Sequence, residues 1–170
     1  KPDLIAPAVD VETAFPGVTG EARVANASGT SAAAAQVAAM ALRVRAQRPD
    51  LSTADVRSLM VQSAVGVSGV AVSGVSPGVA RVPDMRAVTL NPAVISGRRT
   101  SGAPTTFPFT VRDVAGTGGQ FRVALSDESG VIVPPGAPIA VAPGGSAPAT
   151  LTIPAGRAPL AGTVHVLDTT

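Results

Sequence analysis

Gly29-Thr30-Ser31 runs directly into the apolar stretch Ala32-Ala33-Ala34-Ala35-Gln36-Val37-Ala38-Ala39-Met40-Ala41-Leu42, and the reading of this junction decides the fold. Residues 16–29 carry Gly17, Gly20 and Gly29 without an apolar period, so they read as a loop. At Thr30 the pattern switches to a helix with Val37, Met40, Ala41 and Val44 at three-to-four spacing, stopped by Pro49-Asp50. Ser28 or Thr30 is placed to cap it. Residues 32–42 are apolar on nearly every face except at Gln36, which predicts burial all round. A serine at the start of such a helix has its hydroxyl among unpaired backbone N–H groups and at the positive end of the macrodipole, where a developing oxyanion is favoured. Ser31 is therefore the candidate nucleophile. Gly-Thr-Ser by itself also fits a loop serine at a helix start, so its neighbours have to decide.

Upstream, Leu4 to Val11 combines a short apolar run with alternation after Pro7, consistent with strands around a proline kink. Downstream, Ser52-Thr53-Ala54-Asp55 has the form of a capping box with Asp in place of Glu or Gln. Val56, Leu59, Met60 and Ser63 follow on one face, giving a second, amphipathic helix of about three turns. Residues 65–80, with Gly66, Gly69, Gly74 and Gly78, read as a loop or irregular hairpin, and Pro83 to Val88 as a last short helix.

From residue 89 the pattern becomes β. Phe107, Phe109 and Val111 alternate, as do Phe121, Val123 and Leu125. Residues 131–133, 139–141, 151–153 and 164–166 supply four more short apolar runs, separated by turns such as Gly116-Thr117-Gly118-Gly119 and Gly144-Gly145-Ser146. This spacing predicts a sandwich of about seven strands, its edges blunted by proline. The fold expected is thus an α/β portion over residues 1–88 followed by an all-β sandwich over residues 89–170.

Composition excludes several function classes. Cysteine is absent, so disulfides and thiolate metal sites are ruled out. The net charge of +2 comes from 13 basic residues, all but Lys1 arginine, against 11 acids. They are scattered except for Arg43, Arg45 and Arg48, which fall at a helix C-terminus where cations are favourable, and no aromatic residues interleave with them. Nucleic acid is not an expected partner. No apolar run reaches the roughly 20 residues of a membrane span. In residues 89–170 no His, Asp or Glu cluster has metal-ligand spacing, and Asp127-Glu128 reads as a solvated turn. No cofactor or metal is expected.

Four pieces in order carry a family resemblance. Residues 1–15 resemble the segment that precedes the catalytic serine in subtilisin-like serine peptidases, and Ser-Gly-Thr-Ser-Ala-Ala-Ala-Ala-Gln-Val-Ala-Ala (28–39) resembles the nucleophile signature with its central helix. Arg48-Pro49-Asp50-Leu51-Ser52 with residues 56–64 is similar to the next helix, and residues 78–88 to the closing segment of that catalytic domain. The resemblance implies an endopeptidase in which Ser31 attacks the scissile carbonyl and its own N–H helps hold the oxyanion. It places the catalytic aspartate, histidine and oxyanion asparagine upstream of Lys1. The chain alone is then expected to be inactive, and its apolar helix to be covered by that upstream part, a second copy or the sandwich. The sequence departs from the family pattern at Ala32, where Met is frequent, Ala35, where Pro is usual, Gln36, where His is usual, and Ala39, where Gly is frequent. Residues 89–170 resemble the fibronectin type III-like sandwich of many subtilases, and the resemblance implies an extracellular or cell-surface location. The alternative is a non-catalytic pseudoenzyme remnant whose sandwich serves binding or assembly. Asp3, Asp10 and Glu12 read as surface or capping charges, Asn26 as a loop residue, and His165, between Val164 and Val166, as a sandwich residue outside the catalysis.

Overall fold

Apart from the first hairpin, the elements follow from which side chains find an apolar neighbour. A computed structural model describes residues 3–16, 22–65, 78–83, 88–94, 102–127, 130–155 and 162–169. It opens with a hairpin, β1 (Val11–Pro16) antiparallel to β2 (Ala22–Ala27), with Glu12 opposite Asn26. β2 corrects the loop reading of 16–29. Glu12, Thr13, Phe15, Arg23, Val24 and Asn26 are all exposed, so the hairpin has no buried face to imprint a period on the sequence. The strand expected over 4–11 reduces to a parallel bridge at Ile5, whose N–H donates to Gly78 O (3.0 Å) and whose carbonyl accepts from the Ala80 N–H (2.7 Å). Val65 and Val79 form an antiparallel bridge at the ends of the glycine-rich stretch, of which 66–77 lie outside the described residues.

Two helices follow, α1 (Thr30–Gln47) and α2 (Thr53–Gln62). The capping box at α2 is present: Ser52 Oγ accepts from the Asp55 N–H (3.2 Å), and the Asp55 carboxylate accepts from the Ser52 N–H (3.2 Å). Val44, Leu51, Val56, Leu59 and Met60 form the core between the helices, with Leu4, Val37, Met40 and Ala41 packed around it. The expectation that α1 is buried all round is not met. Only Val44 is fully buried on it, while Ala34, Ala35, Ala38, Ala39 and Leu42 face outward. Among the described residues α1 is covered on the flank that meets α2, Leu4 and Val114, and Ala34, Ala35, Ala38, Ala39 and Leu42 lie on its exposed side.

The second half is a sandwich of seven strands among the described residues. β3 (Val88–Asn91), β4 (Thr105–Asp113) and β8 (Ser146–Ile153) form one antiparallel sheet in the order β3-β4-β8. In the other, β5 (Gly119–Asp127) pairs with β6 (Gly130–Val133), β7 (Ile139–Val141) and β9 (Thr163–Asp168). Leu90, Phe109, Val111, Ala149, Leu151 and Ile153 from the first sheet meet Phe121, Val123, Leu125 and Val141 from the second in one buried cluster. Val88 begins β3, so the short helix expected over 83–88 does not reach its last residue; 84–87 lie outside the described residues.

Asp113 ties the two sheets at their turns. Buried to 2% exposure, its carboxylate accepts from the N–H groups of Ala115 (2.9 Å), Gly118 (2.7 Å) and Gly144 (3.0 Å). Gly118 is required there: its φ is 66°, and a Cβ would sit 2.8 Å from Pro143 Cδ. Burial pushes the Asp113 carboxyl up, but the backbone donors outweigh it and hold the group below the ordinary 3.8. A depressed folded value gives stability that is present above the unfolded value and lost as pH falls through the folded one. In urea titrations the unfolding free energy should therefore be level from pH 7 to about 5 and fall below about 4. Asp113→Asn should lower stability at pH 7 by about 1–3 kcal/mol and shrink that acid dependence.

Candidate active site

Ser31 is the second residue of α1 and is exposed. Gly29 stands at the N-cap with φ 136° and ψ 164°, a conformation that a residue with a Cβ rarely adopts. Its N–H donates to Ala8 O (2.7 Å) and its carbonyl accepts from the Ala32 N–H (3.0 Å), so the chain turns sharply just before the serine. Neither expected cap is made. Ser28 Oγ instead accepts from the Asp10 N–H (3.0 Å), Thr30 already lies within the helix, and no side chain caps α1. Apart from the Ala32 N–H, which is bonded to Gly29 O, the first-turn N–H groups have no side-chain acceptor at the positive end of the dipole.

Gln36 fixes this helix start against the preceding segment. Its Nε2 donates to Pro7 O (3.0 Å) one turn beyond Ser31, so with the Gly29–Ala8 bond two contacts pin the helix to residues 7 and 8. Among the described residues no side chain is hydrogen-bonded to Ser31 Oγ.

The other polar residues are engaged elsewhere. Asp3 pairs with Arg57 (2.8 Å). Asp10, with φ 52°, lies exposed beside β1. Asn26 belongs to β2, and its partner across the hairpin is Glu12. His165 lies exposed on β9, its Nε2 2.5 Å from Ser126 Oγ on β5. The arginine cluster is built into the helix end: Arg45 reaches Leu51 O (3.4 Å), and Arg48 donates twice to Asp50 (2.9 and 2.7 Å) and once to Val114 O (2.6 Å). Among the described residues no group of three or more His, Asp and Glu could hold a metal, and no helix is long and apolar enough to cross a membrane.

Sequence reasoning missed the second role of Asp55. Beyond the capping box, its buried carboxylate accepts from Thr89 Oγ1 (3.0 Å) on β3 and pairs with Arg112 on β4. No sequence signal marks this role: Thr89 and Arg112 come opposite one another only in the strand register.

The subtilase family model matches residues 1–107 of the chain. The chain belongs to the subtilase family. The match contains Ser31, both helices and β3, and extends into the first residues of β4. No curated protein matches the chain. Membership identifies it with subtilisin-like serine peptidases, and the exposed Ser31 at an uncapped helix end lies within the matched region.

The geometry separates stability from chemistry at adjacent positions. Gly29→Ala should cost about 1–3 kcal/mol through backbone strain, whereas Ser31→Ala should change stability by no more than about 0.5 kcal/mol. Chemical denaturation of the two variants measures both.

Proposed function

We propose that Ser31 is the nucleophile of a subtilisin-like serine endopeptidase. The observation that carries this reading is an exposed hydroxyl two residues past Gly29, at a helix N-terminus that no side chain caps. Ser31 Oγ attacks the scissile carbonyl carbon of a peptide, the carbonyl oxygen becomes an oxyanion facing the Ser31 N–H, and the hydroxyl proton passes to a base. The base returns that proton to the leaving nitrogen, and collapse of the tetrahedral species expels the amine and leaves an acyl-enzyme for water to cleave.

The base comes from polypeptide outside these residues. The chain has one histidine, His165, and it is engaged with Ser126 on the sandwich. The catalytic histidine, its aspartate and an oxyanion asparagine are thus assigned to an upstream part of the catalytic domain, and the chain alone is inactive. That same part, or a second copy of the chain, covers the outward face of α1 and the exposed Phe15 and Val24 of the hairpin. The substrate is a peptide or protein, and the mechanism asks for no cofactor.

Residues 89–170 form a fibronectin type III-like accessory unit following a catalytic portion over 1–88. The three-strand sheet facing a second sheet across one core supports this reading. The same kinship supports an extracellular or cell-surface location.

Fluorophosphonate labelling tests the reading. The chain joined to its upstream part should be labelled at Ser31, and Ser31→Ala should abolish both labelling and peptide hydrolysis. Labelling that persists in Ser31→Ala removes Ser31 from the mechanism, and a folded protein that never labels favours the pseudoenzyme.

A further inference from the structure

We propose that the β-sandwich is a brace that positions the Ser31 helix, with Arg48, Asp55 and Arg112 as its positioning residues; this rests on Ser31 being the nucleophile. A tethered accessory domain would touch the helices through a replaceable surface. Here the two halves share side chains that neither can satisfy alone.

The base of α1 is held first. Val44 is completely buried and packs in one cluster with Val114, which belongs to the turn between β4 and β5. Arg48, just past the end of α1, donates to the carbonyl of the same Val114 at 2.6 Å. The sandwich therefore supplies both an apolar plug and a hydrogen-bond acceptor to the helical core.

α2 is locked to β3 along an edge. Val88 O and Leu90 N–H point away from β4, because Thr89 between them faces it in the ladder. Leu90 N–H lies 2.8 Å from Ser58 Oγ. With its amide turned to suit its neighbours, Gln62 donates to Val88 O (2.7 Å) and accepts from Leu90 N–H (2.8 Å), so its amide occupies the place a peptide group of another strand would take. The Asp55 carboxylate closes the seam through Thr89 and Arg112. β3 has no free edge here, and α2 has no unmatched charge.

Length converts this seam into a catalytic constraint. Ser31 and Val44 are separated by about 20 Å of helix at 1.5 Å per residue. A tilt of about 3° at the base moves the hydroxyl by about 1 Å, a displacement that can lower the rate about a hundredfold.

Hydrogen exchange on the full chain reads the brace without reference to catalysis. In Arg112→Ala, protection of the amides of residues 43–47 in α1 should fall together with that of β3, each by roughly tenfold or more, and Arg112→Lys should restore part of both. Should Arg112→Ala fail to fold, Val114→Ala reports the same coupling from the apolar side. Protection in α1 that stays within about twofold of wild type while β3 opens overturns the brace. In the chain joined to its upstream part, Arg112→Ala should lower kcat with KM nearly unchanged, and an unchanged kcat equally overturns it. Failure of wild type to label with fluorophosphonate overturns the Ser31 reading instead and leaves the exchange result intact.

Discussion

A carboxylate removed from water must be matched by donors or charge, and the way Asp55 is matched determines how this molecule is assembled. It is 4% exposed, and burial by itself pushes its carboxyl up. The hydrogen bonds from Ser52 and Thr89 and the charge of Arg112 together outweigh burial and hold it below its ordinary value. Those partners lie on three different elements: the N-cap of α2, β3 and β4. Leaving such a charge without its partners costs more than the pair contributes, so the helices and the sandwich are bound to one arrangement. Thr89, fully buried between the two halves, marks where that arrangement is tightest.

The serine end of α1 obeys the opposite logic. There the chain leaves donors unused: Gly29 takes a backbone conformation that excludes most residues, Ser28 turns to Asp10, and the first turn lacks a side-chain cap. A helix end free of side-chain caps suits a group whose charge appears only during reaction. Gln36 anchors this helix by bonding to Pro7 O. The departures at Ala32, Ala35 and Ala39 leave small side chains along α1, and Ala35 and Ala39 lie on its exposed surface.

Much of this was legible in the sequence where one face is buried. The apolar alternations at 107–111, 121–125 and 151–153 became β4, β5 and β8 because each has an inward row facing the shared core. The Ser52–Asp55 spacing announced its capping box because that bond is local. β2, within 16–29, reads as loop because neither face of the hairpin is buried, so backbone pairing leaves no trace in the pattern. The described residues do not supply the all-round burial expected of α1, because a run of alanines records what a helix can tolerate, not which neighbours stand beside it. The Asp55–Arg112 contact was invisible because the two residues are 57 apart and meet only through the packing of α2 on the sheet. For Ser31, the local signature was legible and the groups that would act with it were not, since none of the chain's acids nor His165 is hydrogen-bonded to it among the described residues.

The central claim is that the buried Asp55 carboxylate, through Thr89 and Arg112, couples the helical and β halves. A double-mutant cycle on Asp55→Asn and Arg112→Gln, measured by urea denaturation at pH 7, addresses it most directly. The account predicts a coupling free energy of about 1–3 kcal/mol between the two positions. Strict additivity of the two substitutions would contradict it.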